Sequence, residues 1–357
     1  MSDAALPNLP GRLGTPDLEL RDDPRADPRM VAAMAPFELD RFPPPVPVDD
    51  STPLEVRHEV ATESEAGFGM VFDVLIGGLP DLPVERHTQV ISGVDDNDIS
   101  LYIHRPANQD GPLPCIVHTH GGGMVIAAAS DPNYVRYRDE LAATGLVVVG
   151  VEFRNGSGKL GNHPFPAGLN DCASALKWTH ANRDDLNIGS IIMSGESGGG
   201  NLAIATTLLA KQDGYLDTVA GVYAQCPYIS NAYAAGDPDL PSLVENDGYF
   251  LSSQMMGPLA HLYDPDQENT TNPLAWPYHA PEADLEGLPP HVISVNELDP
   301  LRDEGLAYYR KLVRAGVPAS SRTVNGTCHA GDLIFLKVMP EVFKASLDSV
   351  RSFAYTV

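Results

Sequence analysis

Lysine is scarce in this chain: six residues among 357, in a sequence whose 48 acidic side chains outnumber 23 basic ones for a formal charge of −25. That balance argues against nucleic acid and anionic membrane surfaces as partners, because the phosphate attraction such binding relies on would be reversed in sign. Cysteine is equally sparse. The four thiols, Cys115, Cys172, Cys226 and Cys328, show no C-x-x-C spacing, which argues for free buried side chains. No apolar run is long enough for a membrane helix. Residues 1–7 lack the basic start and apolar core of an export signal, so a cytoplasmic protein is expected. The G-x-x-x-x-G-K-[ST] pattern of a nucleotide phosphate loop is also missing.

What the chain does have is glycine in an informative context. Ser194-Gly195-Glu196-Ser197-Gly198-Gly199-Gly200 follows the apolar run Ile191-Ile192-Met193 and leads into Asn201-Leu202-Ala203-Ile204-Ala205. The order is strand, sharp turn, helix, and within it Gly195 to Gly199 reads G-x-S-x-G. Flanking glycines let a serine occupy a strained turn with its hydroxyl clear of the backbone, so Ser197 is the candidate nucleophile. The plain alternative is a glycine-rich turn whose serine only caps the next helix. Upstream, the apolar run 113–117 empties into His118-Thr119-His120-Gly121-Gly122-Gly123, where backbone N–H groups stand unshielded. Together with the N–H of Gly198, such a loop can hold a developing negative oxygen.

A serine needs a base, and four histidines follow it: His261, His279, His291 and His329. His291 opens a strand-like run, and His261 and His279 fall in a Pro- and Tyr-rich irregular region. His329 sits in a glycine-containing loop between the extended run 320–324 and a terminal helix expected to begin near Asp332, and is the best base. For the orienting acid, Glu297, Asp299, Asp303 and Glu304 compete. Asp303 and Glu304 fit the first turn of a helix, where the helix dipole favours acids without any catalytic role. Asp299, before Pro300, also reads as a helix cap.

The alternation of strands and helices gives the fold class. Strands are expected at 86–92 and 99–105, joined by a turn at 95–98, then at 115–119, 146–152 and 191–195. Helices are expected at 132–143, 167–182 and 201–211. This pattern makes an α/β protein with a mostly parallel sheet covered on both faces. Residues 28–37 and 51–80 read as helical, and the stretch from 225 to 291 breaks into Pro-, Asp- and Tyr-rich sequence with a helical piece at 252–263.

The set H-G-G-G, G-E-S-G-G, Asp299-Pro300-Leu301-Arg302-Asp303-Glu304 and a late histidine, in this order, resembles the hormone-sensitive-lipase-like branch of the α/β-hydrolase superfamily over roughly residues 85–350. The resemblance implies Ser197 as nucleophile, Asp299 as acid, His329 as base, and Gly121, Gly122 and Gly198 as oxyanion donors. It also implies a catalytic domain at 81–357 beneath a cap built from residues 1–80 and an insertion at about 228–285. Met124, Tyr228, Met255 and Met256, with Phe37, Tyr249 and Phe250, are candidate pocket walls. Met124 stands where the family commonly has an aromatic residue, and Ala330-Gly331 replaces the usual glycine and aromatic after the histidine.

The expected reaction is hydrolysis of a small-molecule ester, short- to medium-chain or compact and cyclic, through an acyl-enzyme, with no metal or organic cofactor required. An amidase or acyltransferase would use the same triad. A receptor or dehydratase on the same scaffold would typically lack the serine or the histidine, and both are present. A homodimer is compatible with this pattern.

Overall fold

Apolar runs rich in valine and isoleucine at 115–117, 147–151 and 191–193 form the centre of an eight-stranded sheet, and their alternation decides which helices cover which face. The computed structural model describes residues 9–45, 47–48, 52–109 and 111–357, so the reading of residues 1–7 lies outside the described residues. The strands are β1 (Val84–Ser92), β2 (Asp98–Pro106), β3 (Leu113–Thr119), β4 (Val147–Val151), β5 (Ile188–Glu196), β6 (Gly221–Gln225), β7 (His291–Asn296) and β8 (Ala319–Val324). Their spatial order is β1-β2-β4-β3-β5-β6-β7-β8. The first hairpin and the β2–β4 pair are antiparallel, and every later pairing is parallel.

Side chains on successive residues of a strand point to opposite faces. Ile116, Val148, Ile192, Tyr223 and Val292 share one face with Phe343, Leu347 and Val350 of the helix Pro340–Ala354 and with Tyr137 and Leu141 of the helix Pro132–Ala143. Val117, Val149, Met193, Ala224 and Ile293 lie in the other cluster, with Leu169, Cys172 and Leu176 of the helix Ala167–Ala181 and Leu202 of the helix Gly198–Gln212. The outer strand β1 is mostly exposed and rich in polar residues, which discourages pairing with a further edge. All four cysteines are free and buried.

The chain leaves β3 toward β4 on one side and returns to β5 on the other, so the sheet has its switch point between β3 and β5. Ligands of open α/β sheets gather at the carboxyl ends of strands at such a point. Two expectations shift in detail. The helix after Ser197 begins at Gly198 rather than near residue 201. The region after His329 is not one terminal helix: a single turn, Gly331–Ile334, is followed by the helix Pro340–Ala354. Pro340 fits the first helical position, where its missing N–H costs nothing, and a longer helix could not run through it. No helix among the described residues is long and apolar enough to cross a membrane.

Candidate active site

Register brings the two glycine elements together. Thr119 pairs with Gly195, so the loop after β3 faces the turn after β5. Ser197 occupies that turn at φ 56° and ψ −122°, at the N-cap of the helix Gly198–Gln212. A non-glycine residue in such a conformation costs on the order of 1–3 kcal/mol. It is held by its neighbours: the Ser197 N–H donates to Gln225 O at 2.9 Å, and its carbonyl accepts from Tyr228 N at 3.1 Å. The approach of the two segments is too close for side chains, since a Cβ on Gly199 would lie 1.9 Å from Thr119 O.

Within the facing loop, Gly122 has φ +99° and a Cβ there would lie 2.1 Å from Ile126 O. The Gly121 N–H is not free: it donates to Glu196 Oε1 at 2.9 Å. Glu196 Oε2 pairs with His118 Nε2, also at 2.9 Å. Gly121 is therefore a correction to the expected donor set, because the carboxylate beside the serine has claimed its N–H. Among the described residues no acceptor is found for the N–H groups of Gly122, Gly123 and Gly198. The sequence shows three equivalent glycines and not the acid that reaches across to the first, so it could not tell which of their N–H groups is engaged.

Adjacent strands β7 and β8 end level, with Asn296 paired to Val324, and the loops that follow carry Asp299 and His329. His329 Nδ1 lies 2.8 Å from Asp299 Oδ2, while Asp299 Oδ1 accepts the Leu301 N–H at 2.9 Å. Asp299 is fully buried and His329 nearly so. Asp299 is thus bonded both to the histidine and to the Leu301 N–H of its own turn, and the expected cap is not formed, because the helix Arg302–Arg314 starts later, with Leu301 at its N-cap and no side-chain cap. Glu297 accepts the Gly326 N–H, Asp303 accepts the Ser242 N–H, and Glu304 is engaged elsewhere. Asn296 braces the His329 loop, donating to Thr327 Oγ1 at 2.7 Å and Asp332 Oδ1 at 2.9 Å and accepting from Ala330 N at 3.2 Å. Ala330 takes a left-handed conformation at φ 53°. Sequence reading passed over Asn296 because it reads only as the end of a strand.

Ser197 and His329 line one cavity of about 420 Å³ with Gly121, Gly122 and Gly123. Its walls are mainly apolar: Phe68, Phe72 and Ile76 of the helix Leu54–Ile76; Phe250, Leu251, Met255, Met256 and Leu259; Tyr228; and Tyr137, Leu333 and Phe343. Of the candidate wall residues, Tyr228, Phe250, Met255 and Met256 are there, whereas Met124, Phe37 and Tyr249 are not among the lining residues. Met124, at φ 62°, is buried in the main hydrophobic cluster.

Behind the wall, Glu304 is buried with no cationic partner among the described residues and accepts hydrogen bonds from Ile229 N at 2.6 Å, Tyr233 OH at 2.9 Å and Ser230 Oγ. Burial outweighs these donors and pushes its carboxyl up to about 8. Tyr233 stacks on Tyr228, centroids 4.3 Å apart, so this carboxyl supports a cavity wall. His120, stacked on Phe153 at 4.1 Å, is held toward its neutral form by burial. One group of potential metal donors exists among the described residues, Cys226, Asp299 and His329, with donor atoms within 4.8 Å of one another. Two of its members already bond to each other, and burial pushes the Cys226 thiol well up.

Comparison with known proteins bears on the fold and the family. The α/β-hydrolase fold family matches residues 116–332. An arylesterase of Saccharolobus solfataricus is 30% identical over 268 residues, 73% of this chain and 81% of that protein. Carboxylesterase NlhH of Mycobacterium tuberculosis is 30% identical over 272 residues, 75% of this chain and 81% of that protein. A solved structure described as brefeldin A esterase, a bacterial homologue of human hormone-sensitive lipase, superposes with a TM-score of 0.94 at 47% identity, covering 97% of this chain and 98% of that one. The chain belongs to the α/β-hydrolase fold family, on its hormone-sensitive-lipase-like branch of esterases.

Proposed function

We propose that the chain, an esterase of the α/β-hydrolase family, hydrolyses uncharged carboxylic esters of short to medium chain, or compact cyclic ones, through an acyl-enzyme on Ser197. The observation that carries this reading is that Ser197, strained and half-buried on its turn, shares one apolar cavity with a histidine already bonded to a buried carboxylate. An imidazole, ordinarily near pKa 6.5, is mostly neutral at neutral pH and can take a proton. His329 accepts the Ser197 hydroxyl proton as Oγ attacks the ester carbonyl. Asp299 keeps Nδ1 protonated and leaves Nε2 as the base, then stabilises the imidazolium. The N–H groups of Gly122, Gly123 and Gly198 receive the oxyanion. Proton transfer from His329 to the leaving alcohol breaks the ester C–O bond, and water, activated by the same histidine, releases the acid and restores Ser197.

The substrate range follows from the walls. Phe68, Phe72 and Ile76 come from the segment 1–80, and Phe250, Leu251, Met255 and Met256 from the segment 228–285. We read these two segments as a cap over the catalytic domain at 81–357, one that excludes water and limits substrate length. A volume of about 420 Å³ with apolar walls suits a neutral ester of modest size. The test is hydrolysis of a chain-length series of p-nitrophenyl esters by wild type and Ser197→Ala. Turnover that peaks at short to medium chains and vanishes in the variant is expected. Turnover retained without Ser197 would overturn the mechanism, and a preference for long chains would overturn the substrate range.

A further inference from the structure

The cap helix Leu54–Ile76 buries only Ala61 and Glu65, and the second of these is acidic. Glu65 is 8% exposed, and its carboxylate takes two backbone donors from the domain beneath: Ala127 N at 2.9 Å on Oε1 and Lys159 N at 2.8 Å on Oε2. The Lys159 ammonium stands 3.6 Å away as counter-charge. Room has been left for this contact, since Gly158, at φ +72°, would place a Cβ 2.6 Å from Glu65 Oε2.

The two donors belong to one continuous structure that begins at the oxyanion loop. Gly122 O accepts from both Val125 N and Ile126 N, so the turn carrying the Gly122 and Gly123 donors runs without slack into Ala127. This strap is laced to the segment beside it by Gly156 N to Met124 O and Ser157 N to Val125 O, both 2.9 Å, and by Asn155 Nδ2 to Ala127 O at 2.6 Å. The cap helix reaches the same segment a second time, where His58 Nδ1 lies 2.8 Å from Ser157 Oγ. Ala127 itself has φ +74°, a conformation that needs an external tether to persist.

We propose that Glu65 is a positioning residue that ties closure of the cap to the placement of the oxyanion donors. A carboxylate offers two acceptors and no donor, which is what a pair of converging N–H groups requires. With the cap seated, both ends of the strap are fixed and the Gly122 and Gly123 N–H groups are aimed at the position above Ser197. With Glu65 withdrawn, the Ala127 N–H loses its partner, only the Asn155 contact to the Ala127 carbonyl remains, and the donors drift. A displacement on the order of 1 Å in such a group can cost about 10²-fold in rate. The inference rests on the serine-esterase reading above.

The test compares wild type, Glu65→Gln and Glu65→Ala in three ways: steady-state kinetics on p-nitrophenyl acetate, thermal melting, and amide hydrogen exchange of peptides covering residues 120–130, 156–160 and 54–76. Glu65→Ala is expected to lower kcat about tenfold or more with KM little changed. Exchange should accelerate at Ala127 and Lys159 while the helix 54–76 stays protected. Glu65→Gln, which keeps one acceptor, should fall between the two. Unchanged kcat, or a loss that comes only through KM or only with melting of the helix 54–76, would overturn the proposal and leave Glu65 a packing residue. Exchange is read without turnover, so an inactive wild type would count against the esterase reading, whereas unaltered exchange at Ala127 would count against Glu65.

Discussion

Glu196 and Gly121 are joined across the mouth of the sheet: the residue before the serine turn holds the first glycine of the opposite loop, its carboxylate 2.9 Å from that N–H. The same carboxylate meets His118 Nε2, so one side chain sets the separation of the two glycine elements. Glu196→Ala leaves buried polar groups unpaired, a penalty of about 1–3 kcal/mol each, and frees the loop. We expect kcat to fall at least tenfold with a lowered melting temperature. Glu196→Gln can still accept from Gly121 and should retain more of both. Kinetics and melting curves of the two variants check this.

Asp299→Asn should remove the carboxylate bonded to His329 Nδ1 while leaving the volume intact. Loss of the equivalent charge elsewhere costs about 10⁴ in kcat, and a loss of 10³ to 10⁴ with little change in KM is expected here. The Leu301 N–H retains an acceptor in the amide oxygen, so stability should change little. A kcat within tenfold of wild type would show that another group orients the base.

Gly199→Ala tests the close approach of β5 and β3. Its new methyl carbon would lie 1.9 Å from Thr119 O and 2.6 Å from His120 O, both backbone atoms with no freedom to move alone. Destabilisation beyond about 4 kcal/mol is expected, seen as loss of soluble protein or of a cooperative melt.

Glu304 imposes a pH dependence on stability. Its carboxyl, raised by burial from 4.5 to about 8 in the fold, binds more protons in the native than in the unfolded state between those values. Stability from this group is therefore fully present below about 4.5 and is lost as pH rises toward 8. Glu304→Gln stays neutral throughout and accepts from Ile229 N and Tyr233 OH with its oxygen. Melting between pH 5.5 and 8.5 should show a smaller decline in the variant than in wild type.

Local patterns were the legible part of this chain. The turn at Ser197 is encoded within seven residues by flanking glycines and an apolar strand, and the alternating strands and helices follow from short-range periodicity. His329 was singled out because the other downstream histidines fall in unsuitable elements. What could not be read depends on groups distant in sequence. The N–H of Gly121 is spent on Glu196, 75 residues away, and Glu65 meets Ala127 across 62 residues. Met124 was expected on the cavity wall, but its left-handed backbone turns it into the core. The family resemblance supplied Asp299 over its acidic neighbours, a choice that spacing alone left open and that the short contact to His329 now supports.

The central claim is that Ser197 is the activated nucleophile. Intact-mass analysis after treatment with a p-nitrophenyl alkylphosphonate tests it most directly, on wild type and on Ser197→Ala. A single stoichiometric adduct on the wild type, mapped to the peptide carrying Ser197 and absent from the variant, is predicted. No adduct on folded wild type, or an adduct that persists in the variant, would contradict it.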